Sequence, residues 1–384
     1  MAQLTFVPYS SEVEHPEPTF EESLKRIVET TKRAVAGSLE EEGIGRAVRD
    51  AHAKGYGLAR AELEILSGLP PAYAQGVYAV PGRHEALIRF SNGAPHIGPD
   101  WVIGNTTGLG VKIFGIDGPT LLEDEPDSGT MDYAIINAPV FFASTARNYE
   151  FIQQLFLQLG KVPPPGQTPA QARAAYNQFL TAFLTGVGTL PQEEWVWPDV
   201  LTLLSLPQYA GPGNLLLSTY WTMGAVRHGD YVAKVSMAPA PGYAERVVRR
   251  DLTLSRATPE VFRPALVEEL RERPFEFDVR VQLCTDLETM PVEDLTVEWP
   301  EKLSPPQTVA KLRLPQQEIG DDKNLEMMDA VSITPWRCPE AHRPLGNIQR
   351  LRKEVYRQSS LVRHQLNHQE RREPKNLADV GFSS

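Results

Sequence analysis

The sequence predicts an α+β fold built on an antiparallel sheet. Strand-like stretches fall into two blocks, separated and flanked by helix-like stretches, in the order helix, strands, helices, strands, helix. The regular strand–helix alternation that marks a doubly wound sheet is missing. So are a GxGxxG turn after a strand and a Walker loop, which leaves a nucleotide-binding fold without local support.

Each element has its own justification. Between 20 and 50, Leu24, Ile27, Val28, Thr31 and Val35 recur at helical spacing among charges, with no proline. From about 60 to 145, short apolar runs broken by Gly, Pro and Asn read as strands and turns. Within them, alternation from His84 to Ser91 puts Leu87, Arg89 and Ser91 on one face and Ile88 and Phe90 on the other. Residues 145–210 return to helix. Thr168 followed by Pro169 makes an N-cap and first turn, and Tyr176, Phe179, Leu180, Phe183 and Leu184 form an apolar stripe expected in the core. A second strand block runs from about 215 to 315 and includes Phe275–Val281. The last element is a helix from roughly Gly346 to His368. The polar stretch from Gln369 to Ser384 is expected to fray, and residues 1–20 read as an extension of a single domain.

Composition narrows the function classes. The chain has 384 residues, 38 Lys and Arg against 49 Asp and Glu, and a formal net charge of -11. That balance disfavours a nucleic-acid backbone or an anionic membrane as main partner. No stretch approaches the roughly 18 uninterrupted apolar residues of a membrane span, and the first residues show no cationic start followed by an apolar run. Cys284 and Cys338 are the only cysteines, and they lie outside any CxxC or Cys/His cluster. The expectation is two buried thiols, no zinc site and a cytoplasmic location.

Three segments carry candidate chemistry. In the last helix Arg352, Tyr356 and Arg363 fall within an arc of roughly 40° at 3.6 residues per turn, beside the apolar stripe of Ile348, Leu351, Val355 and Val362. Nearby cations favour the ionised form of a phenol, and a phenolate is a hard anionic ligand suited to ferric iron. A surface helix with solvated arginines and a half-buried tyrosine meets the same spacing. The second segment runs from Arg49 through His52 to Gly57. It combines a proton shuttle with glycines that let the backbone turn closely around a ligand, although a lone histidine is more often structural. The third, Arg89-Phe90-Ser91, can aim a cation and a hydroxyl into one interior, or hold a salt-bridged strand arginine.

Together these segments resemble the haem catalases from about residue 45 to 363. Matching in order are Arg49-x-x-His52-Ala53-Lys54-Gly55-x-Gly57, Arg89-Phe90-Ser91 and Gly108-x-x-Val111-Lys112-Ile113-Phe114. Asn137-Ala138-Pro139-Val140-Phe141-Phe142, Glu298-Trp299-Pro300-Glu301-Lys302 and Arg352-x-x-x-Tyr356 with Arg363 follow. The resemblance implies an antiparallel β-barrel with surrounding helices and haem b buried between them. It implies Tyr356 as the iron ligand, kept deprotonated by Arg352, and Arg49, Arg89 and Arg363 on the haem propionates. His52 would move the peroxide proton, oriented by Ser91, and Tyr149 would cover the distal haem edge.

Departures from the family pattern are part of the reading. The position of the distal asparagine is Ile136, with Asn137 beside it, so either a small shift brings Asn137 into the pocket or a hydrogen-bonding partner is lost. Ala51 and Gly93 stand where valines are usual, and both widen the pocket. Lys54 has no role and is expected to be a surface charge. The chain is short, which implies no NADPH and weaker assembly as a homo-oligomer, a dimer or tetramer. The implied activity is a peroxidase with weak catalase activity on hydrogen peroxide and organic hydroperoxides, passing through a ferryl species and using a small-molecule electron donor. An enzyme rearranging fatty-acid hydroperoxides and a non-catalytic haem-binding protein are the other two readings.

Overall fold

The computed structural model describes residues 5–41, 45–103, 106–159, 168–209 and 213–382. The strands among them are β1 (Gly55–Ile65), β2 (Gly82–Asn92), β3 (Thr107–Phe114), β4 (Thr130–Ile136), β5 (Tyr220–Trp221), β6 (Val226–His228), β7 (Tyr231–Pro239), β8 (Phe275–Leu283) and β9 (Gln307–Leu314). Every pairing is antiparallel, and β5 bonds to both β4 and β7. The order β5-β4-β3-β2-β1-β9-β8-β7 therefore closes into an eight-stranded barrel, with β6 as an outer hairpin arm on β7. Closure removes the free edges that an open sheet must protect.

The alternation along β2 has the expected consequence. Ile88 and Phe90 are fully buried in the barrel core, while Leu87 belongs to a separate cluster outside it. Arg89 and Ser91 share that outward face, and both are buried, so the barrel's outer surface is covered there. The cover comes from α1 (Phe20–Gly37), α3 (Ala146–Leu159) and α9 (Asn347–Leu366), which pack on one another. Ile27 and Val28 of α1 meet Ile348, Leu351 and Val355 of α9 in one apolar cluster with Ile136 of β4. The remaining helices are α2 (Asp100–Ile103), α4 (Pro169–Leu184), α5 (Trp197–Ser205), α6 (Pro241–Ala244), α7 (Phe262–Glu272) and α8 (Asp322–Ala330).

Thr168 caps α4, and Gln171 returns the bond to the Thr168 backbone, a capping box with Pro169 in the first turn. Phe179, Phe183 and Leu184 are buried as expected, but Tyr176 is exposed. The stripe is narrower than its spacing suggests, because among the described residues α4 packs mainly on α3 and α5, which leaves Tyr176 to solvent. Residues 160–167 and 210, in the middle and at the end of the expected helical region, lie outside the described residues.

The polar C-terminal stretch is not frayed over its described part. Glu373 pairs with Arg337 at 2.9 Å and also contacts Lys112, and both cations are fully buried. Lys112 is 2.8 Å from Asp132, which also contacts Arg337. Buried cations require paired carboxylates, and Asp132 cannot serve both alone. Leu377 and Val380 complete the strap by burial against Leu58 and Met328. The N-terminal residues are likewise bonded down: Val7 N–H donates to Cys284 C=O at 2.8 Å. Both cysteines are free and buried. Among the described residues, no helix is long and apolar enough to cross a membrane.

Candidate functional site

A cavity of about 440 Å³ lies between the outer face of β2–β4 and the helices α1, α3 and α9, closed below by Val331, Ser332 and Ile333. Arg49, His52, Arg89, Ser91, Tyr149, Arg352, Tyr356 and Arg363, all singled out from the sequence, line it.

On the α9 side, Arg352 Nη2 donates to the Tyr356 phenol oxygen at 2.9 Å, with the guanidinium carbon 5.0 Å from the ring centre. The four-residue spacing brings them together on one helix face. Arg352 is itself fixed by bonds to Gln349 Oε1 at 2.7 Å and to the Ala134 carbonyl of β4 at 2.6 Å. A positive charge is thus held rigidly at an oxygen that lines the cavity.

On the barrel side, His52 adopts a left-handed backbone conformation, φ 56°, uncommon for a residue with a side chain. Arg89 Nη2 secures that turn by donating to the His52 carbonyl at 2.9 Å. The ring's Nδ1 lies 2.5 Å from the Asn92 carbonyl, which can only accept, so Nδ1 carries the proton and Nε2 keeps its lone pair. Ser91 Oγ is farther off at 3.3 Å and donates to the Gly108 carbonyl. Burial, followed by the charge of Arg89, pushes the His52 pKa down to about 4. The ring is neutral at neutral pH and able to accept a proton. It also packs where a Cβ on Gly108 would stand, so β3 needs glycine at that point.

The third feature is a cluster of arginines around one acid. Arg46 lies 2.5 Å and Arg49 3.7 Å from Asp329, while Arg49 and Arg363 donate to the carbonyls of Val331 and Asp329 at 2.7 and 2.6 Å. Burial holds the Arg49, Arg89 and Arg363 guanidiniums below their ordinary pKa. Arg89 Nε and Arg363 Nε are buried with no hydrogen-bond partner among the described residues. Buried, under-neutralised guanidinium groups with free donors call for an anionic ligand.

Tyr149 stacks at the apolar end, its ring 5.9 Å from Phe141; burial raises its phenol pKa. Asn137 is set apart from this group. Its Oδ1 accepts from Thr107 N–H at 2.8 Å, and Ile136 stands on the cavity wall instead. Ala51 and Gly93 both face the cavity.

Lys54 is not a surface charge. It is buried, paired with Asp100 at 2.7 Å and Glu260 at 2.6 Å. Asp100 also accepts from the first N–H groups of α7, so the pair ties β1 to that helix. Sequence reasoning missed Asp329, Asp50 and Gln153. Asp50 alone carried a signal, as the one acid among Arg46, Arg49, His52 and Lys54.

Similar architectures occur among solved structures. A fungal catalase aligns with a TM-score of 0.62 at 16% identity, covering 88% of this chain and 64% of that one. Catalase A from Saccharomyces cerevisiae aligns with a TM-score of 0.60 at 17% identity, covering 84% and 63%. A bacterial catalase aligns with a TM-score of 0.60 at 15% identity, covering 86% and 60%. The chain has a catalase-like fold and spans 60 to 64% of the length of these three catalases. No protein-family model matches it, and no curated protein is similar to it in sequence.

Proposed function

We propose that this chain, which has the catalase-like fold, is a haem-dependent oxidoreductase that cleaves hydrogen peroxide and organic hydroperoxides and takes electrons from a small donor. The observation that carries the reading is one apolar cavity lined on one side by a neutral histidine and on the other by a tyrosine oxygen held against a guanidinium.

The residues present fit haem b. Leu109, Ile333, Ile348, Leu351 and Val355 line the cavity as an apolar wall suited to a flat macrocycle. The unpartnered Nε atoms of Arg89 and Arg363, with Arg49 beside Asp329, suit two propionates. Tyr356 would hold the iron through its phenol oxygen, and Arg352 holds that oxygen in place. Bound haem would supply the two-electron reduction of the peroxide O–O bond.

His52 does the proton work. Its Nε2 would take a proton from one peroxide oxygen and return it to the other, the leaving one, while the Asn92 carbonyl keeps the ring in the required tautomer. Ile136 at the wall gives no hydrogen bond to a second peroxide oxygen, and Ala51 presents only a methyl group to the cavity; the expected widening at Gly93 is offset, because Thr106 fills the place of its missing side chain. The reading therefore favours peroxidase over efficient disproportionation. Turnover of cumene hydroperoxide is expected to exceed that of hydrogen peroxide; a strong preference for hydrogen peroxide would count against it.

The apolar Ile136 also suits rearrangement of a lipid hydroperoxide without an external donor. Product analysis separates the two: the alcohol, with donor consumed, means reduction, whereas an epoxide formed with loss of water and no donor consumed means rearrangement. Gly108→Ala tests the placement of the histidine. The new methyl displaces the His52 ring from the Asn92 carbonyl, so peroxide cleavage should fall by about 100-fold, with circular dichroism unchanged. Cleavage at the wild-type rate would mean that the ring position is not critical. Two free, buried thiols suit a reducing, cytoplasmic setting. The resemblance further suggests one haem domain assembling as a homo-oligomer.

A further inference from the structure

The wall of the cavity formed by α1, α3 and α9 carries a group of polar side chains that peroxide cleavage does not use. Asp50, two residues before His52, accepts from Ser359 Oγ of α9 at 2.7 Å and from Thr31 Oγ1 of α1 at 3.0 Å. Gln153 Nε2 of α3 donates to that same Thr31 oxygen at 2.9 Å. Thr31 has a single proton, directed to Asp50, so Gln153 must present its NH₂ to Thr31. That fixes the carboxamide and leaves Oε1 as the uncommitted acceptor. Gln153 Oε1 is buried with no hydrogen-bond partner among the described residues.

Asp50 and Gln153 both line the cavity. Each Asp50 oxygen takes one hydroxyl and retains accepting capacity. This part of the wall thus presents acceptors, its hydroxyl protons already being engaged, and a buried acceptor without a donor is unfavourable. Whatever lies against it must bring an O–H or N–H.

Two neighbouring features narrow the ligand. Phe141 and Phe142 stack with ring centres 4.3 Å apart, and with Tyr149 and Phe156 they make this end of the cavity aromatic. Arg49, Arg89, Arg352 and Arg363 line the same cavity and disfavour a cation, while the Asp50 carboxylate in this acceptor-rich wall disfavours a carboxylate. A neutral donor on an aromatic ring satisfies both.

The geometry points to a subsite for a phenol or arylamine: Asp50 and Gln153 receive its O–H or N–H, and its ring lies among Phe142, Tyr149 and Phe156. The inference rests on the peroxidase reading only for what becomes of the bound molecule, since it names the class of reducing cosubstrate. Binding itself needs no peroxide.

The test is a ¹⁹F NMR titration of the full chain, expressed with added haem, against 4-fluorophenol, 4-fluoroaniline and fluorobenzene, with peroxide omitted. The phenol and aniline are expected to bind more tightly than fluorobenzene. Gln153→Leu should weaken both by about five- to tenfold, the effect of one hydrogen bond, and leave fluorobenzene unchanged. Asp50→Asn, read the same way, serves if Gln153→Leu disturbs the fold by circular dichroism. Equal affinity for fluorobenzene and fluorophenol in the wild type, or unchanged fluorophenol affinity in a folded variant, overturns the subsite. A protein that discriminates the phenol yet takes up no haem keeps the subsite and removes the peroxidase reading, so the two failures are distinct.

Discussion

Replacing His52 with alanine is expected to leave haem content near the wild-type level while lowering peroxide cleavage by about 10²- to 10⁴-fold, the usual contribution of a positioned acid–base group. Haem retention should survive because the arginines that bond to the backbone, Arg49 and Arg363, do so independently of the histidine ring. The wild-type pH profile is a second readout. Burial and Arg89 hold His52 neutral down to about pH 4, so kcat/KM should be flat from neutral pH to about 5. It should fall as the pH drops through about 4, where Nε2 gains a proton and can no longer accept one. An acid limb near the ordinary histidine value of about 6.5, or a His52→Ala variant with full activity, would transfer the role elsewhere.

Tyr356→Phe is expected to weaken haem retention more than any other single change in the cavity. The substitution removes the oxygen that would hold the metal on the proposed reading and leaves Arg352 facing a hydrocarbon, with its bonds to Gln349 and Ala134 intact. Altering groups just outside a metal's ligand shell costs about 10- to 100-fold in affinity, and loss of the ligand itself should exceed that. Haem stoichiometry from the Soret band after gel filtration checks it, with His52→Ala as the control that keeps its haem. A Tyr356→Phe protein with full haem and an unchanged spectrum would assign the axial position to another residue.

How much of this was legible in the sequence depended on the range of the interactions. The face shared by Arg352, Tyr356 and Arg363 follows from helical periodicity, and the opposed faces of β2 follow from strand alternation; both are local. The roles of Lys54, Asp329 and Glu373 were not legible, because each is set by a partner from a distant segment. Lys54 looks like a solvated lysine until α2 and the segment leading into α7 deliver Asp100 and Glu260 to it. Asn137 and Ile136 could not be ranked from spacing alone, since pairing with Thr107 across the strand ends decides which of two adjacent side chains turns inward. Tyr176 failed for the opposite reason: its periodicity is sound, but α4 has too few neighbours to cover the whole stripe.

Barrel closure through β1 and β9 has a kinetic consequence. The bonds that complete the cavity span long stretches of chain: 282 positions between Arg49 and Val331, and 309 between Asp50 and Ser359. Topologies dominated by such distant contacts fold slowly, because loop entropy is lost before the contacts form. The first half of the chain carries Arg49, His52 and Arg89 and the last segment carries Arg352, Tyr356 and Arg363, so neither alone assembles the arginine cluster or brings the tyrosine and the histidine into one cavity. On the proposed reading a cofactor would find its full set of partners only once both ends of the chain have folded together, so cofactor supplied during folding is expected to raise the yield of loaded protein.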